Sequence, residues 1–294
     1  MPDDARIVCI GGGHGLSAAL SAAKQLTPDV TAVVTGADDG GSSGVLRRWL
    51  GIPAPGDLRM AIAALAGEDQ AALMQYRFSE GDLAGHPLGN LLIAALADVR
   101  GDFVRAVAEA ARIAGVTGAV YPASPDPLTL HATIGGNAVE GQVAIALGPD
   151  AVERLWLDPA EPPATPEAVE AIERADLVVL GPGSLFTSIL AALIVPGIGR
   201  AVRNARRVAF VLNLSEQLGE TKGMSAAAHI DAMTGHVRRL RLDVVLVHEG
   251  PSGGMRRPVH LDEQSIRVPI VKADLVSDGV HDPLKLAATF KTLL

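Results

Sequence analysis

Aromatic residues are scarce in this chain: two Trp, two Tyr and five Phe make up 3% of 294 residues. A core of any size must therefore be built from Ala, Val, Leu and Ile, and little stacking surface remains for bases or flavin rings. Cysteine is nearly absent. The single Cys9 excludes an internal disulfide, and its place inside an apolar run marks it as a buried, inert thiol, in keeping with a reducing cytoplasm. Basic charge is also short, with 25 Lys and Arg against 33 Asp and Glu and a net charge of −8. That leaves no electrostatic footprint for a nucleic-acid backbone. The pattern G-x-x-x-x-G-K-[ST], the pattern H-E-x-x-H and any cysteine cluster are missing, which removes P-loop hydrolysis and a structural zinc site. Gly183-Ser184-Leu185 does not complete a nucleophile elbow, so serine hydrolysis has no support. The acidic start Met1-Pro2-Asp3-Asp4-Ala5-Arg6 is not a signal peptide. The longest apolar stretch, residues 177–198, is broken by Gly181-Pro182-Gly183-Ser184 and ended by Pro196-Gly197, so no membrane span is expected.

What is present is a 48% hydrophobic composition, ample for a packed core, and two glycine clusters at the ends of apolar runs. Residues 7–10 are apolar throughout, as a strand buried on both faces requires. They lead into Gly11-Gly12-Gly13-His14-Gly15-Leu16-Ser17, after which Leu16, Ala19, Leu20 and Ala23 recur at helical spacing. This is strand, loop, helix. Glycine leaves no Cβ between the amides and a ligand, so a diphosphate fits on the helix N-terminus. Gly13 to Ala18 also matches G-x-G-x-x-A, a weak signal alone. A second β-branched run, Val30-Thr31-Ala32-Val33-Val34, is followed by Ala37-Asp38-Asp39-Gly40-Gly41-Ser42-Ser43-Gly44. An acid about 20 residues after the glycine loop, at the tip of the second strand, is where a doubly wound sheet holds a ribose. Asp38 and Asp39 both qualify.

Further along, Pro55-Gly56-Asp57-Leu58-Arg59 opens another helix with Asp57 at the cap position, worth about 1 kcal/mol in that role. Arg47, Arg48 and Arg59 are the cations nearest the two loops and are candidate phosphate partners. Gly85-His86-Pro87-Leu88-Gly89-Asn90 is a polar turn in which Asn90 is a cap or ligand contact and His86 reads as a turn residue. Residues 116–145 change to short alternating segments joined by Gly135-Gly136-Asn137, a hairpin within a small α+β insertion near 116–160, and a proline-rich linker follows at 158–166. A second strand and glycine loop then appear at Leu177-Val178-Val179-Leu180 and Gly181-Pro182-Gly183-Ser184. The strand at 208–212 delivers Asn213, with Glu216, Glu220 and Thr221 behind it. The chain ends in His281-Asp282-Pro283 and a terminal helix over 284–293. The expected fold is one doubly wound, mostly parallel, Rossmann-like α/β domain over residues 1–294, carrying that insertion.

Together these blocks, with Gly89-Asn90 and His281-Asp282, resemble the gluconeogenesis factor (YvcK) family of the CofD-like superfamily over nearly the whole chain. The Asp-Asp-Gly-Gly-Ser-Ser-Gly block is the most specific element. The resemblance implies a cytoplasmic protein tied to growth on gluconeogenic carbon sources and to cell shape, which binds UDP-sugars such as UDP-N-acetylglucosamine and works through a regulatory partner. A homo-oligomer, a dimer, is the expected assembly. The enzyme branch of the superfamily transfers a phospholactyl group from a guanosine diphosphate donor to a deazaflavin. On the binding reading the ligand residues are Gly12, Gly13, His14, Gly15, Leu16, Asp38, Asp39, Gly40, Gly41, Ser42, Ser43, Asp57, Arg59, Asn90, Gly181, Pro182, Gly183, Ser184, Asn213 and Thr221, and no cofactor is required. On the transferase reading Asp38, Asp39 and Asp57 hold Mg2+ on the donor. Simple NAD binding through Gly13, Gly15 and Asp38 is the third reading. Two residues depart from the family pattern: His14 stands where threonine is usual, and Val280 where a basic residue is common.

Overall fold

The computed structural model describes residues 5–251, 254–255 and 257–294. Residues 1–4, on which the reading of an acidic start rests, lie outside the described residues. The apolar runs form the strands and the small-residue segments form the helices. In chain order these are β1 (Ile7–Gly11), α1 (Gly13–Ala23), β2 (Val30–Val34), α2 (Gly41–Leu50), α3 (Gly56–Leu65), α4 (Glu68–Gln75), α5 (Leu88–Arg100), α6 (Phe103–Ile113) and β3 (Ala119–Pro122). After them come β4 (Thr129–Ile134), β5 (Asn137–Glu140), β6 (Val152–Asp158), β7 (Leu177–Leu180), β8 (Val208–Val211), β9 (Val244–His248) and β10 (Ile270–Ala273). Seven of the strands form one sheet in the order β10-β9-β8-β7-β1-β2-β3, and every neighbouring pair is parallel.

The chain starts in the middle of this sheet, winds outward through β2 to β3, then returns to lay β7 against the other side of β1. The order of winding reverses between β1 and β7, and the crevice above the carboxyl ends of these two strands is where an open sheet of this kind takes ligands. β1, β2, β7 and β8 are buried along their whole length because helices cover both faces. One face carries α1, α3, α6 and the terminal helix Pro283–Lys291, packed through Leu16, Leu20, Ile62, Val107 and Phe290. The other carries the helices Pro166–Arg174, Pro196–Asn204 and Ala226–His236. Alanine at Ala19, Ala22 and Ala23 lets α1 lie close on the sheet, so the aliphatic strand residues meet a nearly flat helix face.

Beyond β3 the alternating segments make a separate three-stranded antiparallel sheet, β5-β4-β6. Its hairpin turns at Gly135 and Gly136, both at positive φ (56° and 75°). Two expectations change here. Residues 119–122 join the main sheet as its edge rather than the insertion, and the strand expected to continue through Ile145 stops at Glu140, where Gly141 (φ 95°) starts the short helix Gln142–Ala146. Among the described residues no single helix is long and apolar enough to cross a membrane; the bent pair Leu185–Leu193 and Pro196–Asn204 turns by 83° and packs into the core.

Candidate functional site

The loops after β1, β2, β7 and β8 meet above the sheet. α1 begins at Gly13 with Gly12 as its cap residue and no side-chain hydrogen bond to its first turn. Gly13 has φ 65°, a conformation that favours glycine, and no atom lies within 4 Å of where its Cβ would be, so the helix end stays open. The β7 loop packs directly on this one: a Cβ on Gly15 would fall 2.4 Å from the Pro182 carbonyl oxygen. Between them opens a cavity of about 490 Å³ lined by His14, Gly15, Pro182, Gly183, Asn213 and Gln217, among others.

The far wall is held by an amide relay. The Gly183 amide donates to Asn213 Oδ1 (3.1 Å), Asn213 Nδ2 donates to Gln217 Oε1 (3.2 Å), and Gln217 Nε2 donates to Ser184 Oγ (2.7 Å). The helical segment that follows, Leu185–Leu190, has its own cap. The buried Glu220 carboxylate accepts the Phe186 and Thr187 amides at 3.0 and 3.1 Å and the Thr187 hydroxyl at 2.5 Å. This helix end is already neutralised, so the second glycine loop supplies a wall, whereas α1 has no cap from Gly12 and has its Gly13 amide on Asp57.

On the other side of the α1 loop lie the acids. Asp57 is not a cap: α3 starts at Gly56, and Asp57 projects from the first turn to lie under Gly12, where a Cβ would come within 2.3 Å of Oδ2. Burial and the neighbouring Asp38 push its carboxyl up to about 6, against the pull of the Gly13 amide and Arg59. Asp38 accepts the Gly40 amide at 2.9 Å and faces Gly56. A folded-state value above the unfolded one means that Asp57 favours folding least above pH 6 and that its penalty disappears as pH falls toward 4. Asp57→Asn is therefore expected to be more stable than the parent at pH 8 by about 1–3 kcal/mol, seen as a higher melting temperature, with the two stabilities converging near pH 4. Equal melting at pH 8 would show that the acid carries no such penalty.

Among the described residues no group of three His, Cys, Asp or Glu is placed to hold a metal ion. Asp38 and Asp57 form a pair of carboxylates, which suits magnesium only where a ligand's phosphates complete the shell.

Of the expected ligand residues, His14, Gly15, Pro182, Gly183 and Asn213 line the cavity, Asp38 and Asp57 lie behind the α1 loop, Arg59, Asn90 and Ser42 form a separate bonded group, and three turn away from all of these. Leu16 is buried in the core beneath α1. Thr221 is buried and its hydroxyl accepts the Gln217 amide at 2.9 Å. Asp39 turns away from the cleft, its Oδ1 accepting the Val143 amide at 3.0 Å, and so ties the insertion to the β2 loop. Arg47 likewise goes to Thr129 Oγ1 (2.8 Å) on β4. Sequence reading missed Gln217, the hub of the amide relay; His86, read as a turn residue, also has its Nδ1 2.8 Å from Ser42 Oγ. Nothing in the local pattern marks Gln217. His86 stands in the same Gly85–Asn90 turn that singled out Asn90. Val280 and His281 join the cavity lining from the C-terminal segment. Val280 is 64% exposed, while burial pushes the His281 imidazole down to about 4 and keeps it neutral.

The family model for 2-phospho-L-lactate transferase CofD matches residues 7–276. A Mycobacterium tuberculosis protein named "Putative gluconeogenesis factor" is 47% identical over 302 residues, spanning 96% of this chain and 88% of that one. The "Gluconeogenesis factor" of Bacillus subtilis is 42% identical over 310 residues and 98% of each chain. A crystal structure of a UPF0052 family member from Bacillus halodurans superposes with a TM-score of 0.93 at 36% identity, over 98% of both chains. The chain belongs to the gluconeogenesis factor family, within the wider CofD family.

Proposed function

We propose that this protein binds a nucleoside diphosphate sugar of the UDP-N-acetylglucosamine type in the cavity between β1 and β7, and acts in the cytoplasm as a regulatory binding protein for carbon metabolism and cell shape. One observation carries this reading: the α1 N-terminus, with its Gly13 amide on Asp57 and no cap from Gly12, opens on a cavity of about 490 Å³, while the equivalent helix end after β7 is closed by two amides and a hydroxyl on Glu220. A diphosphate placed on the α1 amides leaves its nucleoside and sugar to extend along the Asn213–Gln217 wall. The binding role, rather than turnover, is supported by the histidines nearby. Neither His14 nor His281 pairs with a carboxylate among the described residues that would orient it as a base.

A ligand that binds only the folded state adds about 2.7 kcal/mol at a hundredfold excess over its Kd. A thermal melting series should show a larger shift with UDP-N-acetylglucosamine than with NAD or GDP. A larger shift with NAD would replace this reading with dinucleotide binding. The second reading, a transferase, draws on the Asp38–Asp57 pair and on the CofD family. In it the two carboxylates hold magnesium on a diphosphate donor, and the metal neutralises charge on the leaving group. Multiple turnovers of donor in the presence of magnesium, abolished by Asp57→Ala, would establish it.

A further inference from the structure

Arg59 is 7% exposed and forms no ion pair among the described residues. Its stem crosses Gly89 and Met74, so closely that a Cβ on Gly89 would lie 2.7 Å from Arg59 Cγ. Its Nε donates to Asn90 Oδ1 at 3.0 Å. The two terminal nitrogens have no partner among the described residues and are not closed off from solvent, so four N–H bonds of a buried cation open outward. Burial and then a second guanidinium, that of Arg77, disfavour the charge on Arg59, while the Asp57 carboxylate favours it. Asp57 makes no ion-pair contact with the guanidinium among the described residues, so a cation buried beside a like charge still gains from a further anion at its terminal nitrogens.

The surroundings are arranged for one. Asn90 Nδ2 donates to Ser42 Oγ at 3.1 Å, and Ser42 Oγ meets His86 Nδ1 at 2.8 Å. This chain of bonds draws together the first turns of α2 and α5, helices of 10 and 13 residues. Neither has a side-chain cap from its own cap residue or an acid in its first turn; Asp38 holds the Gly40 amide before α2 and the Tyr76 carbonyl holds the Leu88 amide of α5, so each end contributes part of its positive pole. A neutral His86 that takes the Ser42 proton at Nδ1 carries its own on Nε2, a further donor at the rim. Trp49 covers that rim, its ring 6.4 Å from the imidazole. None of these groups lines the cavity between β1 and β7.

We propose that Arg59, Arg77, Asn90, Ser42 and His86, with the N-termini of α2 and α5, form a second subsite that takes an oxyanion, the phosphate or carboxylate of a small molecule, apart from the nucleotide cavity. The assignment is independent of what fills the cavity between β1 and β7. Inorganic phosphate and acetate serve as probes, titrated at constant ionic strength against chloride while the melting temperature is followed. Phosphate should raise the melting temperature saturably. Acetate should do so only if the natural group is a carboxylate as well as a phosphate. Arg77→Gln, on the surface, should weaken phosphate about tenfold, the scale of one charge-assisted bond, and leave UDP-N-acetylglucosamine binding unchanged. Arg59→Gln should remove the phosphate response altogether. The phosphate shift should also persist when the protein is saturated with UDP-N-acetylglucosamine. A response no larger than that of chloride, a response unaffected by Arg77→Gln, or one abolished by the sugar nucleotide would overturn the proposal. Should Arg59→Gln fail to fold, the Arg77→Gln and competition results decide it alone.

Discussion

Glu220→Ala is expected to lower stability by about 3–5 kcal/mol, read as a fall in the urea midpoint with an unchanged slope. The side chain is 1% exposed and its two oxygens satisfy two backbone amides and one hydroxyl at the start of the helix that follows β7. Alanine leaves all three donors buried without partners, at about 1–3 kcal/mol each before relaxation. Burial pushes the Glu220 carboxyl up while these bonds pull it down. Glu220→Gln keeps one acceptor oxygen for the amides, and the Thr187 hydroxyl can rotate to accept from the new NH2. That variant should lose only about 1 kcal/mol. An alanine variant within about 1 kcal/mol of the parent would mean that the helix start finds other partners.

The second large effect is expected at Gly15. Its Cβ would lie 2.4 Å from the Pro182 oxygen, 2.6 Å from the Pro182 carbonyl carbon and 2.8 Å from the Gly183 nitrogen, all backbone atoms that cannot rotate aside. Gly15→Ala must part the two loops. It should cost about 1–3 kcal/mol of stability and at least about tenfold in affinity for the sugar nucleotide, because the α1 amides and the Asn213 wall would no longer face each other. Gly13→Ala is the control: the added methyl meets open space, so the penalty is confined to the left-handed backbone, about 1–2 kcal/mol. Calorimetry on both variants separates contact from conformation. Retained affinity in Gly15→Ala would show that the two loops do not jointly form the nucleotide wall.

Strands buried on both faces announce themselves as unbroken apolar runs, and β1, β2, β7 and β8 were legible for that reason. β3 was not. It is an edge strand with alternating burial, the same signature that the antiparallel β4 leaves in the sequence, so the insertion appeared to begin earlier than it does. The two glycine loops were also legible, but not the difference between them. That difference rests on Glu220, which lies 34 residues after the amide it caps at Phe186. Nor could two adjacent identical residues be told apart: Asp38 faces the cleft and Asp39 the insertion because successive side chains of the loop diverge. The network of Arg59, Asn90, Ser42 and His86 joins four residues spread over residues 42–90, a pairing that spacing alone does not specify.

The scarcity of aromatic rings has a spectroscopic consequence once their positions are known. The seven strands of the main sheet hold no tryptophan. One of the two, Trp49, is 74% exposed at the rim of the oxyanion subsite, and the other, Trp156, stacks on His131 in the insertion with the Arg154 guanidinium over its ring. Intrinsic emission from this protein therefore reports the cleft rim and the small sheet, and is nearly blind to the central core. Trp49, already in water when the chain is folded, should change its emission colour little on unfolding, and its ring, 6.4 Å from the His86 imidazole, stands beside whatever settles in the subsite. In a Trp156→Phe background the remaining indole becomes a label for that one place, supplied by the chain itself.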